Sequence, residues 1–381
     1  MLYFLNFEYL PNTAVGNRLL GYYRSMDKMG IEAEVIFLHP NSRYEKIHES
    51  FNSIKFVYYW KRYIPYRSIF RNITLQLYLK RFLSNLKSGD IVYTYSISKL
   101  TTLCEQVPGV RVFAERTEHP EASHGFPHPL LSLTKDEYIS TVKRLDGLFV
   151  ISEPLKDFYS SIGIESSKIE IINMTVDPSR FENLQKDRSV ERYIAYCGNA
   201  SNNKDGVDEL IKSFALVASK IADIKLYIIG SIPTREQRFE NLDLVKTLGI
   251  EEKVIFTGLV NAESMPQLLK NAEILALDRP DNMQAHYGFP TKLGEYLLTK
   301  NPVVVTTVGD IPKFLQNGKS AFLANPNDTR DFAEKLLFAL THRKEAIQIG
   351  ESGYAVAMQF FNSFTETSKI LKFIKNKLNH E

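Results

Sequence analysis

The sequence predicts an α/β protein of two domains, each a doubly wound parallel sheet with helices on both faces. Three observations predict it. Short apolar, β-branched or aromatic runs alternate with longer amphipathic stretches over the first half of the chain. The same alternation resumes over the second half, and one polar stretch, Asp177 to Arg188, separates the two. Strand alternating with helix is the pattern of crossover-linked parallel strands. In order, strands are expected at 2–7, 33–38, 55–60, 91–96, 110–115, 147–151 and 168–174. A helix is expected over 18–29, where Leu19, Leu20, Tyr23 and Met26 share one side, and another over 134–144. Beyond the polar stretch, strands are expected at 192–197, 224–229, 253–257, 274–277, 302–307 and 320–323. Helices are expected at 207–218, 236–248, 263–271, 291–298 and 329–340, and one or two more over 354–378. The domains then run 1–178 and 190–360, with 361–381 a terminal helix.

Composition agrees. The chain has 381 residues, about two domains' worth. Its 44% apolar and 24% charged content excludes a disordered tail, a collagen-like fibre and a coiled coil. No apolar run approaches the roughly 18 residues a membrane span needs. The opening Met-Leu-Tyr-Phe-Leu-Asn-Phe-Glu lacks the basic region and cleavage site of a signal peptide. Cys104 and Cys197 stand far apart without metal-ligand spacing, so neither a disulfide framework nor structural zinc is expected. A cytoplasmic setting follows. The net charge of +3 is too small to argue for nucleic acid. No Gly-x-Gly-x-x-Gly follows either opening strand, which argues against a dinucleotide dehydrogenase.

Ligands of open parallel sheets sit beyond the carboxyl ends of the strands, so the loops there carry the chemistry. The richest is Leu277-Asp-Arg-Pro-Asp-Asn-Met-Gln-Ala-His-Tyr-Gly-Phe-Pro-Thr-Lys-Leu-Gly-Glu295. A helix is expected to open at Pro290, leaving the N–H groups of Thr291 and Lys292 to face an anion. Gly288 admits close approach to the backbone. Glu295, one turn on from Thr291, has the reach to accept hydrogen bonds from a vicinal diol such as a ribose. A second loop, Gly198-Asn-Ala-Ser-Asn-Asn-Lys-Asp-Gly206, carries Lys204 toward the same anion. The plainer reading makes Glu295 a solvated carboxylate at an ordinary loop–helix junction and Lys204 a surface lysine.

Taken in order, these segments resemble glycosyltransferase family four, the glycosyl transferases group 1, of the GT-B fold. The resemblance rests on the Asn12-Thr-Ala-Val-Gly-Asn17 loop, Ile171-Ile-Asn-Met-Thr-Val-Asp177, the Gly198 to Gly206 loop, Phe256-Thr-Gly258, Tyr287-Gly-Phe-Pro-Thr-Lys-Leu-Gly-Glu-Tyr-Leu297 and Asn301-Pro-Val-Val-Val305. It covers nearly the whole chain. It implies two Rossmann-like domains facing across a cleft, and retaining transfer of a sugar from a UDP- or GDP-linked donor without a metal or other cofactor. Glu295 matches the family's second paired glutamate, the ribose holder. Lys204 matches the diphosphate lysine, with one extra residue before Gly206. Gly16 matches the glycine of the first domain's loop.

Two positions depart from that pattern. Tyr287 stands where the first glutamate is usual, and Asn199 where an arginine is usual. Lys292 and Arg279 are the compensating cations. By the same resemblance Glu118 and His119, in the dense loop Glu115-Arg-Thr-Glu-His-Pro-Glu-Ala-Ser-His-Gly-Phe-Pro-His128, lie near the reacting carbon, and the terminal helix packs back on the first domain. A metal site there is disfavoured because His119, His124 and His128 are irregularly spaced among prolines.

Residues 55–87 hold Lys55, Lys61, Arg62, Arg67, Arg71, Lys80, Arg81 and Lys87 with no acidic residue, interleaved with aromatics. That suits peripheral contact with an anionic membrane at the cytoplasmic face, and equally a core helix with a solvated basic face. The function expected is therefore a glycosyltransferase acting on a saccharide or lipid-linked acceptor in cell-surface polysaccharide or glycolipid synthesis. A sugar-nucleotide epimerase of the same fold and a non-catalytic GT-B protein are the alternatives.

Overall fold

The computed structural model describes residues 1–41, 43–60, 69–122, 131–232 and 234–379. The chain divides into two compact units, Met1–Asn173 with Ser363–Glu381, and Met174–Asn362.

In the first unit the elements are β1 (Leu2–Asn6), α1 (Ala14–Lys28), β2 (Ala33–Phe37), β3 (Ile54–Tyr58), α2 (Ile69–Asn85), β4 (Ile91–Thr94), α3 (Lys99–Glu105), β5 (Arg111–Arg116), α4 (Lys135–Arg144), β6 (Gly147–Val150), α5 (Glu153–Ser161) and β7 (Ile169–Ile171). The second unit holds β8 (Tyr193–Cys197), α6 (Asn202–Asp205), α7 (Val207–Ala218), β9 (Lys225–Ile229), α8 (Arg235–Thr247), β10 (Val254–Gly258), α9 (Met265–Asn271), β11 (Ile274–Leu277), α10 (Met283–Tyr287), α11 (Thr291–Leu298), β12 (Val303–Thr306), α12 (Ile311–Phe314), β13 (Phe322–Ala324), α13 (Thr329–Thr341) and α14 (Arg343–Phe360). A last helix, α15 (Ser363–Asn379), closes the chain within the first unit.

The strands pair in parallel, in the orders β3-β2-β1-β4-β5-β6-β7 and β10-β9-β8-β11-β12-β13. Strand order reverses between β1 and β4 in one sheet and between β8 and β11 in the other. Those reversals open crevices at the strand C-termini. The strands are near-continuous apolar runs because helices cover both faces; β8, β11 and β12 are buried at every position.

The core of the first unit packs Phe4, Tyr22, Phe37, Tyr93, Phe113 and Phe149 with Ile370 and Ile374 of α15. Burying two α15 side chains one turn apart is what recruits the terminal helix to this unit. A buried polar knot fixes where the chain leaves. Arg18 Nε donates to Glu115 Oε1 at 2.6 Å, while its Nη atoms donate to the carbonyls of Asn173 (2.7 Å) and Ile172 (2.9 Å). Glu366 accepts the Asn173 N–H at 2.7 Å.

The unit boundary therefore differs from the expected linker at 177–188. Met174 and Val176 lie against Gly294 of α11, and Val176 N–H bonds the Phe361 carbonyl at 2.8 Å. The polar stretch itself docks on the second unit. The amide of Gln267 donates to Gln185 O at 2.8 Å, and Lys186 Nζ donates to Ala272 O at 2.9 Å. The Asp187 N–H donates to Asn271 Oδ1 at 3.0 Å. Polarity marked the segment as a connection, yet these three hydrogen bonds all tie it to the second unit. Likewise the second unit runs to Asn362 rather than 360.

Candidate functional site

At the reversal between β8 and β11, two loops meet in the second unit. After β8 the chain turns at Gly198, makes the short helix α6, and passes through Gly206 into α7. Gly206 has φ +61, and a Cβ there would stand 1.9 Å from the Asp278 carbonyl, so only glycine fits where the two loops touch. Asn282 joins them again, its side-chain amide donating to Asn203 O at 2.7 Å while its Oδ1 caps α10 at the Ala285 N–H.

The segment after β11 differs from the expected plain loop, because Asn282 nucleates α10 within it. Pro290 is the N-cap of α11 and not its first turn. No side chain caps α11, so the first N–H groups of the helix have no side-chain acceptor at its start. Gly288 has an ordinary extended backbone, φ −98, ψ 173.

The centre of the site is a carboxylate the sequence reading passed over. Asp205, 2% exposed, receives Lys292 Nζ in a short ion pair and the Tyr196 hydroxyl at 2.7 Å. Arg279 Nε lies 3.9 Å from its other oxygen. Burial alone would push the Asp205 carboxyl up, but Lys292, Tyr196 and Arg279 together hold it below its ordinary value. Burial draws the Lys292 ammonium down, opposed by Asp205. A Cβ on Gly198 would meet Lys292 Nζ at 2.7 Å, so that glycine makes room for the lysine. Lys292 and Arg279 thus share Asp205. Lys204, half-buried one residue before, lends its carbonyl to Arg279 Nε at 3.4 Å.

Glu295, half-buried, is met by Arg180 in a second short ion pair. Arg180 rides on a 3-10 turn, Pro178–Phe181, which Asp177 caps by accepting the Ser179 N–H at 3.0 Å. The Asp-Pro turn signal was visible in the sequence; the contact across 115 positions was not. Thr291 and Tyr287 are half-buried, and Asn199 is exposed with its carbonyl accepting the Tyr196 hydroxyl at 2.9 Å. Asp278, between β11 and Arg279, is buried so deeply that its carboxyl is pushed up to about 8, with Glu209 adding and Ser213 opposing. Burial pushes the Cys197 thiol up to about 12, which leaves it unreactive at neutral pH.

The remaining expected site residues belong to the first unit. Gly16 is buried in the first turn of α1, and a Cβ there would stand 1.8 Å from the Leu10 carbonyl. Its lack of a side chain is demanded by its own loop. Gly16 helps line a cavity of about 270 Å3 at the β1/β4 reversal, walled by Phe7, Tyr9, Leu19, Tyr23 and Tyr95. His119 is buried against the edge of Phe158, its Nδ1 accepting the Glu121 N–H at 3.2 Å, and burial lowers its pKa. Glu118 is half-buried beside it. His124 and His128 fall outside the described residues, and no cluster of metal-ligating side chains occurs among the described ones.

Residues 191–342 match the family described as Glycosyl transferases group 1. Most of the second unit is a group 1 glycosyl transferase domain. Mannosylfructose-phosphate synthase of Agrobacterium fabrum is 22% identical over 277 residues, covering 68% of this chain and 60% of that protein. The capsular polysaccharide biosynthesis glycosyltransferase CapM of Staphylococcus aureus is 24% identical over 261 residues, 64% of each. The chain thus spans about three fifths of the length of the curated relatives it matches. HepE from Anabaena, solved in complex with UDP, is similar in fold at TM-score 0.74 and 15% identity, over 98% of this chain and 99% of that one. The fold is GT-B. The glycosyl transferase domain contains Asp205, Lys292, Arg279 and Glu295, whereas Arg180, Gly16, Glu118 and His119 lie outside the matched residues.

Proposed function

We propose that this chain is a retaining, metal-independent glycosyltransferase. It moves a sugar from a nucleoside diphosphate sugar to a saccharide or lipid-linked acceptor in cell-surface polysaccharide or glycolipid synthesis. One observation carries the reading: Glu295 lies one turn beyond the uncapped start of α11, in a crevice where Lys204, Lys292 and Arg279 gather. Glu295 accepts the two ribose hydroxyls, and Arg180 keeps its carboxylate oriented until they arrive. Lys204, with Lys292 and the Thr291 and Lys292 N–H groups, receives the diphosphate. Gly198, Asn199, Tyr287 and Gly288 form the walls near the transferred sugar.

As the bond from anomeric carbon to phosphate oxygen breaks, positive charge grows on the sugar and negative charge on the diphosphate. The fixed cations and helix N–H groups stabilise the second. The acceptor hydroxyl attacks from the face the diphosphate leaves, and its proton passes to the departing phosphate oxygen. On the acceptor side His119, whose Nδ1 is taken by a backbone N–H, carries its proton on Nε2 and is a hydrogen-bond donor. Glu118 beside it accepts from a hydroxyl.

Residues 55–87 are proposed as the contact with an anionic membrane at the cytoplasmic face. In support, α2 exposes Ile73 and Leu77 one turn apart beside Lys80 and Arg81. Residues 61–68 of that stretch lie outside the described residues, and no described helix is long and apolar enough to cross a membrane.

The test starts with uridine and guanosine diphosphates in a thermal-shift screen, UDP first because HepE was solved with it. NMR of the product's anomeric centre and added chelator then read retention and metal independence. Glu295→Gln is expected to weaken nucleoside diphosphate binding by roughly tenfold or more, one charge-assisted hydrogen bond having been lost. Unchanged affinity in that variant would overturn the site.

A further inference from the structure

At the end of the second sheet away from the crevice just described, Arg192, Glu273 and Pro302 precede β8, β11 and β12 and line a cavity of about 400 Å3. Six cationic side chains stand on its wall, Lys186, Arg188, Arg192, Lys270, Lys300 and Arg343, against the four carboxylates of Asp187, Glu191, Glu273 and Glu351. Two of the four are committed elsewhere. Asp187 accepts the N–H and hydroxyl of Ser189 at 2.9 and 2.7 Å, and Glu191 pairs with Lys225 at 2.6 Å. Glu273 is shared by Arg343 at 2.8 Å, Lys186 at 3.7 Å and Arg192 at 3.9 Å, Arg192 being held more closely by Asp223 at 2.7 Å. Among the described residues, no carboxylate forms an ion pair with Arg188, Lys270 or Lys300.

Lys300 is anomalous in a second way. It follows α11 with φ +61, the left-handed position after a helix where glycine is the usual residue. Gly350 of α14 is packed so closely on this turn that a Cβ there would stand 2.5 Å from the Lys300 carbonyl. The turn is therefore held, and a lysine is kept where its backbone is costly. Such an outlier is grounds for a hypothesis of function. Its ammonium lies over the Tyr354 ring at 4.5 Å. Lys270, half-buried, donates to the Thr299 carbonyl at 2.7 Å. Burial lowers the Lys270 ammonium with Lys300 adding to the effect; burial likewise lowers Lys186, with Arg343, Lys270 and Arg188 adding against Glu273. Burial is the larger cause in both, and the neighbouring cations add to it.

We propose that the cavity binds a phosphate-bearing anion, separately from the donor crevice, through Lys270, Lys300 and Arg188. Its room suits a small phosphate ester, and its position at the opposite strand ends suits an effector and not the transferred group. The ligand's phosphate comes either from a soluble ester or from a phospholipid headgroup.

The experiment compares the full chain with the double variant Lys270→Gln, Lys300→Gly by calorimetric titration with inorganic pyrophosphate. Glycine is at ease at φ +61, so the variant should keep its melting temperature. The wild type is expected to show a pyrophosphate site that the variant weakens by roughly tenfold or more, with UDP binding unchanged. Identical pyrophosphate isotherms for the two proteins would overturn the proposal. Vesicles of phosphatidylglycerol, with phosphatidylcholine as control, then separate the sources. A loss of phosphatidylglycerol binding in the variant assigns a headgroup. Equal vesicle binding beside the pyrophosphate difference assigns a soluble ester.

Discussion

The substitution Asp278→Asn should make the protein's stability less sensitive to pH, and the size of the effect follows from where the carboxyl sits. Asp278 is 3% exposed, with Ser213 Oγ–H at 3.4 Å and Glu209 nearby, so burial pushes its carboxyl up to about 8. In the unfolded chain an aspartate titrates near 3.9. Between those values the folded state holds a proton that the unfolded state has released, so stability falls as pH rises. The slope is about 1.4 kcal/mol per pH unit from this one group. From about pH 5 to about pH 7.5, allowing for partial titration at each end, the loss comes to about 3 kcal/mol. The asparagine side chain would imitate the neutral acid and would not titrate. Urea unfolding of both proteins at the two pH values measures the difference. The variant should gain about 3 kcal/mol on the wild type between them. If the gap between the two proteins is the same at both pH values, Asp278 is not protonated in the folded state, and the account of a dry pocket behind Arg279 fails.

Three further outcomes follow from the same geometry. Lys292→Met leaves the Asp205 carboxylate buried with Tyr196 and a more distant Arg279, and should cost about 3–5 kcal/mol; adding Asp205→Asn should recover part of it, read by urea midpoints. Gly206→Ala drives a Cβ to 1.9 Å from a backbone carbonyl at φ +61 and should prevent the second unit from folding. Gly249→Ala, at φ +65 with open space around it, should cost only about 1 kcal/mol, so equal losses would show that backbone strain and not the clash decides. Ile73→Asp with Leu77→Asp should abolish co-sedimentation with anionic vesicles while leaving the melting temperature within a few degrees, since both side chains are at least half exposed; unchanged sedimentation would remove α2 from the membrane contact.

The fold was legible because its signals are local. Ile274–Leu277, Val207–Ala218 and Thr291–Leu298 form as the periodicity predicts, each being a buried strand or a helix with one apolar stripe. What escaped is non-local or runs against polarity. The helix Met283–Tyr287 lies in a polar run whose only helical signal is the Asn282 cap. Asp205 drew no attention in the sequence, since a buried aspartate is rare unless paired, and its partner Lys292 arrives from 87 positions away. Gly16 was legible as an indispensable glycine, but the cause is the carbonyl of Leu10 and lies within its own loop.

Asp205 changes the electrostatics of the proposed donor crevice more than any departure visible in the sequence. Lys292 and Arg279 were the cations expected to make up for Asn199, yet both already serve a carboxylate that is 2% exposed. Moving Lys292 wholly onto a diphosphate would strand that buried charge, at a cost of about 3–5 kcal/mol. Lys292 must therefore bridge Asp205 and the incoming phosphate, contributing position more than net charge. The attraction for the diphosphate then falls on Lys204 and on the first N–H groups of α11, whose start carries no side-chain cap. Arg180 becomes the one cation whose present partner, Glu295, is itself expected to be claimed by the ribose. On the proposed assignment a ribose that takes Glu295 displaces Arg180 from it, so nucleoside recognition is coupled to this ion pair. A free pyrophosphate, lacking the ribose, cannot trigger that release and should bind the crevice far more weakly than a nucleoside diphosphate.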